Sequence, residues 1–129
     1  MKVNYLIACD AAVRTSNKLN LLGIFSSISV RSLPARHGQL AIVAEINAEP
    51  GEHEFRYVFK DTEGKDAAPA TPPGKFKVEN VGLGEVVAEL RQFPVARAGF
   101  LSIQLEINGK VVAQRDILVR LEGQAPASS

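Results

Sequence analysis

An alternation of apolar and polar residues with a period of two constrains the fold of this chain more than any other feature. In residues 101–107 every odd position is aliphatic and every even position is polar. Successive side chains of a β-strand point to opposite faces, so this pattern gives one buried face and one solvated face. The same alternation recurs in residues 53–60, 75–79 and 85–91. The sequence therefore predicts a protein built from half-buried strands.

Three further segments are apolar on both faces: residues 3–9, 19–30 and 40–46. None keeps the i, i+3, i+4 stripe of a helix, so we predict interior strands whose second face is covered by another layer or by a partner chain. The first two segments supply the candidate contact residues for a second copy or another protein, which are Val3, Tyr5, Leu22, Ile24 and Phe25. The alternative is that loops or the neighbouring sheet cover these faces.

Asn108-Gly109 lies between two apolar runs and predicts a hairpin. A two-residue turn would put Ile103 opposite Gln114 and Leu101 opposite Asp116, which would bury polar side chains. We therefore predict a three-residue loop over residues 107–109, which pairs Leu105 with Val111 and Ile103 with Ala113. That register leaves Arg115 opposite Leu101, so either a second bulge turns Arg115 outward or its head escapes at the end of the sheet.

Eight candidate strands with short turns predict an all-β fold, an immunoglobulin-like antiparallel β-sandwich of about seven or eight strands. A membrane-docking C2-type sandwich and a small barrel are the alternatives. Residues 66–74, which hold three prolines, predict a mobile surface loop. We expect a single domain over residues 1–122 and a flexible tail over residues 123–129.

Charge and cysteine content limit the cellular compartment and the classes of partner that we expect for this protein. The net charge of +1 provides no long-range attraction to phosphates, so the sequence predicts no nucleic-acid partner. No apolar run reaches the ~20 residues of a membrane helix, so no membrane insertion is expected. The single cysteine, Cys9, ends an apolar segment and is predicted to be buried, which fits a reducing compartment and a cytoplasmic location.

The residues able to support chemistry are few. His37, His53 and Cys9 lack the close ligand pairs of a zinc site, and no nucleophile, base and orienting group can be assembled. We therefore expect no catalytic residues, no cofactor and no metal. Asp10, Asp61 and Glu63 are the alternative ligands for calcium, if the loops of the sandwich bring them together.

These observations favour a non-enzymatic protein-interaction or structural module whose partner is another protein or a second copy in a homodimer. The alternative is a C2-like module that binds a small ligand or calcium at its loops.

Several turns and strand cores occur in a recognisable order. Asp10 closes the first strand, Leu22-Gly23-Ile24-Phe25 follows, and then come Leu33-Pro34, Pro50-Gly51-Glu52-His53, and Gly99-Phe100 before Asn108-Gly109. From about Lys2 to Leu121 this order resembles a family of short bacterial proteins known only as a domain of unknown function. The chain has Ala98-Gly99 where that family tends to have Pro-Gly. The resemblance implies a β-sandwich and brings no catalytic or binding residues.

Overall fold

The computed structural model describes residues 1–80 and 82–123, and this part of the chain holds ten strands and no helix. The first five strands are β1 (Lys2–Thr15), β2 (Lys18–Ile24), β3 (Ser27–Val30), β4 (Ala35–Asn47) and β5 (Gly51–Lys60). The other five are β6 (Asp66–Ala68), β7 (Gly74–Val78), β8 (Leu83–Val95), β9 (Gly99–Ile107) and β10 (Lys110–Leu121).

The strands form two sheets. Sheet A has four strands in the order β2-β1-β4-β8, and sheet B has six, in the order β3-β10-β9-β5-β6 with β7 also paired to β5. All pairings are antiparallel except that of β3 with β10. The all-β sandwich predicted from the sequence is confirmed.

The main core lies between the sheets and is filled by the inward positions of the alternating strands. Leu101, Ile103, Leu105 and Ile107 of β9 are all buried, together with aliphatic residues of β1, β4 and β10. Phe59 of β5 meets Phe93 of β8 edge to face across this core, with their ring centroids 4.8 Å apart. Burial of this apolar surface provides the main stabilisation of the fold.

Two local differences raise the number of strands above the predicted seven or eight. Residues 19–30 do not form one interior strand, because the chain crosses between the sheets at Phe25 and Ser26 and makes an edge strand in each. The predicted loop 66–74 contains the short strand β6. After β6, Thr71 forms two hydrogen bonds with Tyr57 of β5. The Thr71 Oγ1 accepts from the Tyr57 backbone N–H at 2.8 Å, and the Thr71 N–H donates to the Tyr57 carbonyl at 2.9 Å.

The predicted register of the β9–β10 hairpin is wrong. Asn108 and Gly109 form a two-residue turn, in which both have positive φ, and Ile107 pairs with Lys110. A bulge between Val111 and Ala113 then shifts the register, so that Leu105 pairs with Ala113 and Leu101 with Ile117. The bulge, rather than a longer loop, keeps the polar residues of β10 out of the core.

Arg115 lies opposite Ile103 instead of Leu101, and no second bulge turns it outward. Its side chain is half-buried between the sheets, where the Nη1 atom donates to the Leu6 carbonyl of β1 at 3.3 Å. The Arg115 Nε atom is buried and has no hydrogen-bond partner among the described residues. The guanidinium thus bridges the two sheets at the cost of one unsatisfied donor.

We expect Arg115→Met to change the free energy of unfolding by no more than about 1 kcal/mol, in the stabilising direction, because it keeps an apolar stem and removes the unsatisfied donor. Arg115→Ala should instead destabilise, because it also removes the packing of the stem. Urea denaturation of the two variants checks this. A loss of more than about 2 kcal/mol in Arg115→Met would show that the hydrogen bond to Leu6 dominates.

The β1–β2 hairpin folds back over the outer face of sheet A. The pairing of β1 with β4 ends at Cys9 and Ala41, although β1 continues to Thr15. Arg14 lies nine residues beyond Tyr5, which is about 30 Å along a straight strand. The Arg14 guanidinium nevertheless reaches the carboxylate of Glu85, a residue on the same level of the sheet as Tyr5, at 2.7 Å. The hairpin must therefore bend across β4 to β8.

This bend encloses a second, smaller core. Cys9, Ala41 and Val43 on the outer face of sheet A are buried beneath a set of partly buried apolar side chains. That set consists of Tyr5, Ala12, Leu19, Leu21 and Val87. The chain itself thus covers the second apolar face of its interior strands β1 and β4.

Two features of the sequence analysis remain as predictions. The single domain over residues 1–122 is one. The other is the flexible tail, of which residues 124–129 lie outside the described part of the chain. Across residues 1–80 and 82–123, the structure contains no helix that could span a membrane.

Candidate functional site

The five predicted contact residues do not form one surface. Val3 and Phe25 pack against the main core, and Tyr5 packs against the second core. Only Leu22 and Ile24 are exposed, with 53% and 57% of their surface accessible. Both lie on the edge strand β2, so the apolar pattern of residues 3–9 and 19–30 is explained mainly by burial within the chain.

The three alternative calcium ligands do not form a metal site. Asp10 lies on β1 against Gly23 of β2, where an added Cβ would collide with its carboxylate. Asp61 closes the β5–β6 loop, because its Oδ1 accepts the backbone N–H groups of Glu63 and Lys65 at 2.8 and 2.9 Å. These hydrogen bonds, led by that from Lys65, lower the pKa of the Asp61 carboxyl. The described residues contain no group of three or more His, Cys, Asp or Glu side chains that could hold a metal ion.

Cys9 and the two histidines lie in separate surroundings. Cys9 is buried as predicted, and burial raises the pKa of its thiol. The His53 ring stacks on Phe76, with its Nε2 2.8 Å from the Glu49 carbonyl. The His37 ring packs against Phe25. The three side chains are held by structural contacts of the fold.

A cleft opens at one end of the sandwich, between the β5–β6 loop and the β8–β9 loop. Its volume is about 270 Å³, and it is lined by loop residues that include Asp61, Thr62, Lys65 and Arg97, with Phe100 at the start of β9. These loops follow from the sequence: Asp61 caps a tight turn that ends at Gly64, and Ala96-Arg97-Ala98 gives a short link to β9.

Phe100 is the exposed aromatic residue at this cleft. It precedes Leu101, so the alternation of β9 points it to the outer face of sheet B, where 57% of its surface is accessible. Leu118 of β10 lies directly opposite. Arg120 and Asp116 are the two diagonal neighbours of Phe100 on the same face, each about 7–8 Å away in a ladder of this kind. We call Phe100, Leu118, Arg97 and Arg120 the Phe100 surface.

Around the Phe100 surface the lysines form ion pairs, whereas the two arginines form none among the described residues. Arg97 is nevertheless near enough to Asp61 to contribute to the lowered pKa of its carboxyl. Lys60 pairs with Asp66 at 2.6 Å, and Lys65 pairs with Glu63 at 3.4 Å. Within the described part of the chain, no carboxylate oxygen lies within 4.0 Å of the side-chain nitrogens of Arg97 or Arg120. The Phe100 surface therefore combines an exposed aromatic ring with two arginines that lack an ion-pair partner there.

The two ends of the sandwich differ in charge. Arg31, Lys65 and Arg97 lie in the loops at the cleft end, with Asp61, Glu63 and Glu122, and Glu122 pairs with Arg31 at 3.6 Å. The loops at the opposite end, residues 48–50, 79–82 and 108–109, carry two glutamates and no lysine or arginine in their sequence. These charges sum to zero at the cleft end and to a negative value at the opposite end.

Reasoning from the sequence did not identify the Phe100 surface, because it did not follow the alternation of β9 back to residue 100. The signal was present in the sequence: with odd positions of β9 facing inward, the even position 100 faces outward. A large aromatic residue at an even position of this strand therefore could have identified the site from the sequence.

Comparisons with known proteins place the fold among known structures. No curated protein sequence matches the chain. A solved structure of the Pseudomonas fluorescens alkylpurine DNA glycosylase AlkC, bound to DNA containing an abasic site analog, shares the fold with a TM-score of 0.56 and 11% identity. The match covers 92% of this chain and 30% of that chain. This chain therefore spans less than a third of the length of that glycosylase.

Two expectations from the sequence are corrected by this comparison. We expected a protein-interaction or structural module, with small-ligand or calcium binding as the alternative, and no nucleic-acid partner. The fold-sharing structure is instead a DNA complex, and the comparisons contain no evidence for a protein partner. The earlier exclusion rested on net charge, which averages over the surface and does not report local clusters of arginine.

The resemblance noted in the sequence is confirmed over almost the same range, since the pattern of a family of unknown function matches residues 4–120. The chain belongs to the family of unknown function DUF6941.

Proposed function

We propose that this chain binds nucleic acid through the Phe100 surface and the adjoining cleft. The observation that carries the proposal is the exposed phenyl ring of Phe100, with Arg97 in the same cleft lining and Arg120 as a diagonal neighbour, neither of which has an ion-pair partner in the described part of the chain. Arginine binds phosphate oxygens through a planar fork of donors, and exposed aromatic rings stack on bases. The fold shared with part of a DNA-bound glycosylase adds support.

The proposal is for a binding module rather than an enzyme. Cys9, the strongest potential nucleophile, is buried with a raised pKa, which favours the unreactive thiol. His37 and His53 pack in other regions, against Phe25 and Phe76. The buried free thiol also supports our proposal of a cytoplasmic location, where thiols stay reduced.

The predicted affinity depends moderately on salt, although the net charge is small. Two arginines that each displace a counterion from single-stranded nucleic acid give a slope of log K against log salt of about −1.4. Binding should therefore be measured at low ionic strength first. The local arginines, rather than the charge of the whole chain, set this slope.

We expect Arg97→Gln to weaken binding of a labelled 15-nucleotide DNA by about three- to tenfold and to reduce the salt slope by about 0.7. Fluorescence anisotropy, with single-stranded and duplex probes at several salt concentrations, measures both quantities. Lys77→Gln is the matched control, because it removes one exposed charge on β7, near the opposite end of the sandwich. It should leave both quantities unchanged.

Two results would contradict the proposal. One is that neither probe raises the anisotropy at low salt. The other is that Arg97→Gln and Lys77→Gln weaken binding equally. That result would show nonspecific electrostatic binding of nucleic acid that does not depend on the Phe100 surface.

A further inference from the structure

We infer that the ligand is single-stranded nucleic acid, with one unpaired base held in the cleft and stacked on Phe100. This inference rests on the proposed function, and it specifies the class of nucleic acid and the position of its base.

The size of the cleft favours a single base. Its volume of about 270 Å³ lies just below the range of about 300–1,000 Å³ for typical small-molecule pockets. A space of this size accepts one ring system with part of its sugar, but not the edge of a duplex. A base inside a duplex is stacked on both faces, so its faces are not available to a phenyl ring.

The charges on the cleft wall favour a base rather than a phosphate inside. Asp61, Glu63 and Asp66 line the cleft together with Lys65 and Arg97. Two of these carboxylates are ion-paired, Asp66 with Lys60 and Glu63 with Lys65. Asp61 Oδ1 already accepts two backbone N–H groups. The wall therefore carries no net positive charge to hold a phosphate, whereas the remaining carboxylate oxygens are acceptors for the N–H groups of a base. Arg120 lies outside the cleft, on the outer face of sheet B beside Phe100. The backbone of a bound strand is therefore directed along the outer face, past Arg120, and the base points inward.

Phe100 is placed to stack on such a base. Phe100 belongs to the lining of the cleft and is 57% accessible, and it pairs with the half-buried Leu118 on the outer face of sheet B. Exposed phenyl rings in single-strand binding proteins stack on bases of any sequence. We therefore expect a preference for single strands with little preference for sequence.

The test compares a 15-nucleotide single-stranded DNA with the blunt duplex of the same sequence, by fluorescence anisotropy with the full chain. The single strand should bind about tenfold more tightly, and Phe100→Ala should remove this preference by weakening single-strand binding about tenfold. Phe100→Tyr, which keeps an aromatic face, should retain the preference. Val111→Ala is the matched control, because Val111 is 52% exposed on β10 near the opposite end of the sandwich.

The outcomes separate the two proposals. If neither probe binds, the proposed function itself is wrong. If the duplex binds as tightly as the single strand, or if Phe100→Ala weakens both probes equally, the proposed function stands and the single-strand inference is overturned. Thermal melting of each variant confirms that it is folded, as expected for substitutions at exposed positions.

Discussion

Tyr57→Ala is expected to lower the free energy of unfolding by about 3 to 5 kcal/mol, because it removes a large aromatic ring from the centre of the main core. Tyr57 is fully buried on β5, and its hydroxyl donates to the Val86 carbonyl of β8, in the opposite sheet, at 3.1 Å. The side chain thus joins the two layers by packing and by one hydrogen bond. Urea denaturation measures the loss.

Tyr57→Phe is the matched control, because it keeps the ring and removes only the hydroxyl. We expect it to cost about 1 kcal/mol, the net contribution of one hydrogen bond. A loss in Tyr57→Phe as large as that in Tyr57→Ala would mean that the hydrogen bond, and not the packing of the ring, holds the sheets together.

Alkaline pH gives an independent check on the same residue. Burial raises the pKa of the Tyr57 phenol above its value of 10.0 in an unfolded chain. Below that pH the phenol is neutral in the folded and the unfolded state, so its full contribution to the free energy of unfolding is present. That contribution is lost as the pH rises above about 10, because the phenol then ionises in the unfolded chain but stays neutral in the folded one. The wild-type protein should therefore lose stability more steeply than Tyr57→Phe between pH 10 and pH 12, by up to about 1.4 kcal/mol per pH unit.

Val43→Asp is expected to cost more than about 3 kcal/mol, because it places an unpaired charge in the second core beneath the β1–β2 hairpin. Val43 lies on the outer face of sheet A and would be solvent-exposed if that face were open. It is instead fully buried together with Cys9 and Ala41. Thermal or urea denaturation measures the effect.

Leu22→Asp is the control for this substitution. Leu22 lies on the same hairpin but is 53% exposed, so we expect a change within about 0.5 kcal/mol. If Val43→Asp were as mild as Leu22→Asp, the hairpin would not cover the face in solution, and the apolar residues 3–9 would need another explanation.

The structure assigns different roles to two groups of apolar residues that look alike in the sequence. Leu22 and Ile24 were grouped with Tyr5 because all belong to segments that are apolar on both faces. The fold of the hairpin partly buries Tyr5 and leaves Leu22 and Ile24 exposed at an edge. Periodicity reports which residues avoid water, but it does not identify the element that covers them.

The sequence by itself determined the alternating strands and the position of the last chain reversal. The alternation in residues 101–107 and 53–60 requires one face to be buried, because each side chain's direction is fixed by the local backbone. Asn108-Gly109 likewise determined a reversal, since both residues tolerate the positive φ that the turn needs. These features depend on neighbours in sequence and can be read locally.

Tertiary structure decided the register, the cover of sheet A and the candidate site. The bulge at Val112 is favoured because it aligns Ile117 with Leu101 in a core that sheet A completes, and two strands alone do not specify that core. The hairpin's bend is fixed by contacts such as that of Arg14 with Glu85, which are 71 residues apart. The Phe100 surface combines residues from β9, β10 and the β8–β9 loop. Such contacts form only when the sheets pack. Hydrophobic burial does not depend on how far apart residues are in the sequence, so the packed core determines which register and which covering element are adopted.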